Sequence, residues 1–524
     1  MTVRAYDCQV LVVGAGPTGL MAANLLKRAG VDVRVVEQRL EATRESRAFA
    51  VQARTLELMQ SIGLADTFVA QGVRADSVNI HVRGNFKGGL DFKRARAKDT
   101  PYPFILMIPQ SRTEAILAQD LEQLGVKIER GVSIASIVQD AGGVTATTSD
   151  GAVIRSAYAI GADGSRSIVR QAANLGWDGE LLPQRFLLAD CKVDWPLDHD
   201  NFRVFLNGRL IGLFLPLDGE NVSRVMATDL SGSFGDEDGS KPAPLDLAEM
   251  QAGLRAAINL PVTLSDPVWV TRYRAHHRFT DRYRGGRMFV AGDAAHIHSP
   301  AGGQGMNTGL QDAANLAWKL ASVLRGANDA LLESYDSERR PVGEAVVKST
   351  GKLFAAAAGQ SGFKAAMRDR MVSLLLPIIT KLPPFQKKAF FNASQRAIAY
   401  PSGTFIAAGS GKRAADAPLA GGQTLFARIA GYRFHTLVLS RTPLTSVETE
   451  RLAGLPDAIV VDGEQPEAGA VFDRYGVPAG GQSTLLIRPD GYVAWRADSI
   501  ALDACAEFQA QFSPYTEVRN VAAA

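Results

Sequence analysis

Residues 8–37 read CQVLVVGAGPTGLMAANLLKRAGVDVRVVE, and the order of residue types in this stretch decides the fold. Val10 to Val13 is a short apolar strand that runs into Gly14-Ala-Gly16-Pro-Thr-Gly19. Leu20 to Ala29 then carries helix-forming residues, and Gly30 stops them. In such a strand, turn and helix, Gly14 allows the turn, Gly16 lets the backbone approach a pyrophosphate, and Gly19 permits close helix-to-strand packing. The helix N-terminus offers unpaired N–H groups and a positive dipole end to the phosphates. A second strand, Val31 to Val36, ends at Glu37, 18 residues beyond Gly19, where an acid can hydrogen-bond a ribose. The spacing predicts an adenine dinucleotide on an α/β, Rossmann-like domain. No second GxGxxG stands between a strand and a helix, so one dinucleotide is held tightly.

Two later segments extend the pattern. Ala157 to Ala162 reads as a buried strand leading into Asp163-Gly164-Ser165-Arg166-Ser167 and a helical run from Ile168 to Asn174, with Ser165 or Ser167 as N-cap. Arg287 to Ala291 reads as another strand, ending in Gly292-Asp293-Ala-Ala-His296. A glycine-rich loop, Ser299 to Asn307, follows and opens a long helix through Leu324. A glycine-rich loop at a helix N-terminus suits an anion, and a reduced isoalloxazine carries negative charge around N1 and O2. Asp293 can accept hydrogen bonds from a ribityl chain.

Composition narrows the class. The chain has 524 residues, enough for two to four domains, with a formal charge of +3, 46% hydrophobic and 21% charged residues. Such a balance gives no general attraction to nucleic acid. Cys8, Cys191 and Cys505 are far apart and form no CxxC, which points to a reducing interior. Neither a signal peptide nor a run near the ~20 apolar residues of a spanning helix is evident, so the expectation is a cytoplasmic protein without membrane insertion. His296 and His298 lack the further ligands that zinc needs, and no metal is expected.

The three motifs carry a resemblance. GAGPTG with Glu37, GADGSRSIVR (161–170) and GRMFVAGDAAHIHSPAGGQGMNTGLQDAANLAWKL (286–320) are similar to the motifs of class A flavoprotein aromatic hydroxylases, of the phenol and polyketide hydroxylase branch. SRAFAVQARTLE (46–57), PQSRTE (109–114) and LLIRPDGYVAWR (485–496) extend the likeness over the whole chain. The resemblance implies FAD held by Gly14, Gly16, Gly19, Glu37, Gln110 and Asp293, with Pro300, Gly303, Gly305, Met306 and Asn307 in the loop facing the ring. It places Asp163 near the pyrophosphate and Arg47 beside a flavin able to swing between positions. Arg44 and Arg54 read as surface charges.

The organisation expected is an FAD-binding domain from 1–174 and 286–400, with a helical extension. A β-sheet substrate domain is inserted at 175–285, with part of 76–108 joining it, as in p-hydroxybenzoate hydroxylase. Phe202–Leu206, Leu210–Leu215 and Val222–Thr228 alternate as strands do, between turn clusters at 216–221 and 231–244. Apolar patches in 340–400 suggest a packed contact, such as a homodimer. Residues 401–524 resemble the family's thioredoxin-like domain, where Cys505 stands alone and excludes dithiol exchange.

The chemistry implied is reduction of FAD by NADPH or NADH, formation of a C4a-hydroperoxide with O₂, and hydroxylation of a phenolic aromatic in a site that excludes water. Where the phenol hydroxylase branch has an acid two residues after the arginine matching Arg47, this chain has Phe49. Tyr273 then matches a substrate-site tyrosine of the family, with His276 and His277 nearby. A related oxidase or halogenase, or a flavin-binding protein without catalysis, is the alternative, although the halogenase segment WxWxIP is absent.

Overall fold

The computed structural model describes residues 6–42, 48–95, 97–217, 222–229, 244–298, 303–358, 362–455 and 458–512. The first sheet runs Met288–Val290, Val153–Gly161, Cys8–Val13, Val33–Glu37 and Ile128–Arg130, each parallel to the next. Cys8–Val13 lies in its middle with both faces covered, which is why Val10 to Val13 is a continuous apolar run rather than an alternating one. Helix α1 (Pro17–Arg28) opens on a proline at its first turn and buries every residue from Gly19 to Leu26.

The second sheet has eight strands among the described residues. Its order is His296–Ile297, Thr263–Phe279, Asp178–Asp194, Val222–Thr228, Leu210–Pro216, Phe202–Asn207, Ser77–Val82 and Asn85–Asp91. Two-residue periodicity sorts its side chains. Phe186, Leu188, Leu213, Leu215 and Met226 pack on one face with Phe49 and Met107 of the first unit. Leu187, Ala189, Cys191, Phe214 and Val225 pack on the other, under the helix Leu247–Ile258. Most of the turn clusters expected at 216–221 and 231–244 lie outside the described residues.

Five further helices carry the argument below. Helix α2 (Ala53–Ser61) follows the short strand Ala50–Val51, and α3 (Gly305–Leu324) packs along α1. Helices α4 (Ala330–Ala358), α5 (Gly362–Ile379) and α6 (Pro383–Ala393) then lead toward the last unit. Helix α5 is apolar on both sides: Ala365 is buried, yet Phe363, Leu374 and Ile378 are 81%, 62% and 63% exposed. The last sheet runs Ala458–Asp462, His435–Ser440, Gln482–Ile487 and Val493–Ala497, the first pair parallel and the others antiparallel. The three cysteines are buried and free, and burial raises the Cys505 thiol.

Arg54 corrects a reading made above. It is not a surface charge but 2% exposed, donating to Glu57 Oε2 at 3.1 Å and to the Asp490 carbonyl, with its guanidinium 5.0 Å from the Tyr492 ring centre. Asp490 and Tyr492 lie more than 400 residues further along the chain. Arg44 lies outside the described residues.

Candidate active site

Three parallel neighbours end side by side, and each end carries one of the motifs. Val13 is in register with Gly161, and Gly161 with Val290. Main-chain bonds continue past the strands: Gly14 N–H donates to Val36, Ala162 N–H to Val13, and Ala291 N–H to Gly161. Gly14, Asp163 and Asp293 thus gather at the carboxyl edge of the sheet, where the connections diverge and α/β sheets bind ligands. Gly14 takes φ +104°, and a Cβ there would sit 2.3 Å from the Ala162 carbonyl oxygen. A Cβ on Gly19 would sit 1.9 Å from the Gly14 oxygen. At Gly16 a Cβ would meet nothing within 4 Å, so that turn faces open space. No side chain caps α1.

The acids sit around this opening. Glu37 accepts from Ala15 N–H at 2.8 Å and Arg39 N–H at 3.0 Å, which ties the glycine turn to the end of the second strand. Asp163 Oδ2 accepts from Ile168 N–H at 2.8 Å, while its buried Oδ1 has no hydrogen-bond partner; burial raises its carboxyl above the usual range. Ser167 is the N-cap of the helix Ile168–Ala172, accepting from Arg170 N–H at 3.0 Å. Asp293 is exposed, on a turn whose Gly292 has φ +59° and packs on Thr18. Gln110 Oε1 accepts from Ala48 N–H at 3.3 Å.

Of the loop leading into α3, Gly303, Gly305, Met306 and Asn307 are described, whereas Pro300 lies outside, as does Arg47. The Asn307 side chain is fully buried and fully bonded. Its Oδ1 accepts from Gln52 N–H at 2.8 Å and Thr55 Oγ1 at 2.7 Å, and its Nδ2 donates to the Ala50 and Gly303 carbonyls, both at 2.8 Å. It braces α2 against the loop. Phe49 forms part of the wall between the loop and the second sheet: it lies edge-on to Phe202 with centroids 6.3 Å apart, and its ring would be 3.4 Å from a Cβ on Gly303.

His296 is buried beside Asp312 and Arg339. Its Nε2 is 2.7 Å from Asp312 Oδ2, and Arg339 donates to Asp312 Oδ1 at 2.8 Å. Burial would raise the Asp312 carboxyl, but Arg339 and His296 hold it below the usual range. Among the described residues no group of His, Cys, Asp and Glu is arranged to hold a metal ion.

Comparison with known proteins supplies the chemistry for this edge. Residues 7–350 match the family described as FAD binding domain. The chain is 31% identical over 528 residues to pentachlorophenol 4-monooxygenase of Sphingobium chlorophenolicum, covering 94% of each. The chain belongs to the FAD-dependent aromatic monooxygenases. It is also 41% identical over 355 residues to 6-methylpretetramide 4-monooxygenase of Streptomyces rimosus, a match spanning 67% of this chain and 62% of that relative. Among solved structures it is similar to a ternary complex of aklavinone-11 hydroxylase with FAD and aklavinone, with a TM-score of 0.75, 25% identity, and 97% and 98% of the two chains covered.

The residues present in this monooxygenase fit the cofactor. An opening at Gly16, an uncapped helix N-terminus and a buried carboxylate oxygen lacking a partner lie at one edge. Sequence reasoning missed Arg224 and Asp190. Arg224 is fully buried, pairs with Asp190 through two contacts of 2.7 Å, donates to the Ala48 carbonyl at 3.2 Å, and lies 5.1 Å from the Trp269 ring centre. Its signal was available: both charges occupy core-facing positions of alternating strands, beside Met226 and Leu188. Tyr273 pairs with Phe186 through its main chain, and its side chain is outside the described set. His276 and His277 are half-buried, His277 against Gly351 of α4.

Proposed function

We propose that this aromatic monooxygenase hydroxylates a phenol or larger hydroxylated aromatic, beside or opposite its existing oxygen. The observation that carries the reading is the gathering of Gly14, Asp163 and Asp293 at one sheet edge, below an apolar wall containing Phe49. Gly14, Gly16, Gly19, Glu37, Gln110, Asp163 and Asp293 would hold FAD, with Pro300, Gly303, Gly305, Met306 and Asn307 on its ring side. Bound FAD supplies electron transfer from NAD(P)H and activation of O₂. One oxygen atom enters the ring and the other leaves as water.

The chain's own residues do the rest in this reading. Phe49, Leu188, Leu213, Leu215 and Met226 exclude water, which otherwise diverts the oxidant. Arg224 and Gln110 hold Ala48. Tyr273 hydrogen-bonds the substrate oxygen. A phenolate ring is the more electron-rich acceptor, and Phe49 stands where the phenol hydroxylase branch has its acid. Tyr273→Phe should slow oxygen transfer and raise the share of NAD(P)H lost as H₂O₂, with FAD binding unchanged; equal coupling would reduce Tyr273 to packing.

Residues 175–285, with part of 76–108, are read as the inserted substrate domain, and 401–524 as a thioredoxin-like unit. A cytoplasmic homodimer, joined through the exposed side of α5, completes the reading. No helix among the described residues is long and apolar enough to cross a membrane. The deciding experiment is purification: a yellow protein with about one FAD per chain is expected, and Glu37→Ala with Asp293→Ala should strip much of it. A colourless protein that ignores added FAD would overturn the assignment.

A further inference from the structure

The turn Arg488 to Gly491, between the last two strands of the third sheet, reaches into the first unit. Asp490 is 2% exposed and joins two helices there. Its main-chain oxygen accepts from Arg54 of α2, and its Oδ2 accepts from Asn315 Nδ2 of α3 at 3.1 Å. Arg488 fixes the carboxylate from the other side, donating through Nε to Oδ1 at 2.9 Å and through Nη2 to Oδ2 at 2.5 Å. A Cβ on Gly491 would sit 3.1 Å from the Arg54 guanidinium.

The same two helices meet again at their N-termini. Asn307, in the first turn of α3, accepts from Gln52 and Thr55 at the start of α2 and donates to Gly303. Asn315 is eight residues beyond Asn307, or about 12 Å along the axis at ~1.5 Å per residue. The first turn of α2 is therefore tied to α3 twice, once at the first turn of α3 and once at its middle. One tie is at the loop read above as facing the flavin, and the other is Asp490 of the C-terminal unit, which holds α2 through its main-chain oxygen and α3 through its carboxylate.

We propose that Asp490 is a positioning residue for the monooxygenase reaction, setting α2 against α3 and so fixing the loop Gly303–Asn307 from outside the FAD-binding unit. This rests on the reading of that loop as the flavin's neighbour. The C-terminal unit then contributes to coupling without touching substrate or cofactor.

The test uses the full chain with Asp490→Ala and, as a milder variant, Asn315→Ala, which leaves the Arg488 contacts in place. Leu439→Ala, in the core of the third sheet, serves as a purely destabilising control. FAD dissociation constants from fluorescence titration, flavin midpoint potentials and H₂O₂ formed per NAD(P)H are measured beside thermal unfolding. Asp490→Ala should weaken FAD binding about fivefold or more, move the potential and raise H₂O₂ severalfold, with Asn315→Ala smaller in the same direction. Leu439→Ala should lower Tm and leave the other three quantities unchanged. Should Asp490→Ala fail to fold, Asn315→Ala decides alone. Unchanged affinity, potential and coupling, or an equal response from Leu439→Ala, would overturn the proposal. A parent protein that binds no FAD would instead overturn the site reading beneath it.

Discussion

Asn307 accepts two bonds and donates two, three of the four fully buried, and has no spare capacity. Asn307→Asp would keep the shape but turn the Nδ2 donor into an oxygen facing two carbonyls, with a charge that cannot reach water. Such a buried unpaired charge costs several kcal/mol, and a loss of about 3 kcal/mol or more is expected in urea or thermal unfolding. Glu37 makes a milder case. Glu37→Gln leaves one carbonyl oxygen for either Ala15 or Arg39, so FAD affinity should fall by about tenfold in an equilibrium titration, roughly one charge-assisted bond. The motif around Asn307 was readable as a glycine-rich loop opening a helix. That its side chain braces α2 was not, because its partners lie more than 250 residues away and leave no local pattern. Arg54 was misread for the same reason: a charge on a helix is indistinguishable from a solvated one until a distant turn closes over it.

The strands were the most readable part of the chain, since Phe202–Leu206, Leu210–Leu215 and Val222–Thr228 are rich in strand-forming apolar residues, although with both sheet faces covered nearly every one of their side chains is buried. The pairing of Ser77–Val82 beside Phe202–Asn207 was only partly readable, because the register between segments so far apart is set by packing rather than by a turn. That pairing buries His81, which stacks on Phe205 at 4.7 Å and lies 3.4 Å from Arg203. Burial, with Arg203 beside it, lowers its pKa from 6.5 to about 4. The unfolded chain therefore binds more protons between these values, and stability contributed by neutral His81 is present above pH 6.5 and lost as pH falls toward 4. Calorimetry at pH 7.5, 5.5 and 4.5 should show Tm falling through this window, with a smaller fall in His81→Gln.

Glu338 of α4 stands where the units meet, accepting from Arg488 at 2.8 Å through both oxygens and from Lys319 at 3.0 Å. Burial would raise its carboxyl, but Arg488 and Lys319 prevail and hold it at about 2, against an ordinary value of 4.5. Its contribution is thus complete above pH 4.5 and disappears as pH falls toward 2. Glu338→Gln would leave Lys319 without a carboxylate while Arg488 keeps Asp490, and should cost about 3 kcal/mol. Measured by chemical unfolding, a loss below 1 kcal/mol would show that Lys319 finds another partner or gives up its proton. Arg413 extends the same seam, pairing with Glu57 at 2.9 Å and Asp99 at 2.6 Å. Charges buried in pairs across a boundary act as an evolutionary ratchet. A descendant that discarded the third unit would expose half of each pair at once, and no single substitution repairs several at a time. In this chain the wiring of its neighbour makes the unit costly to discard.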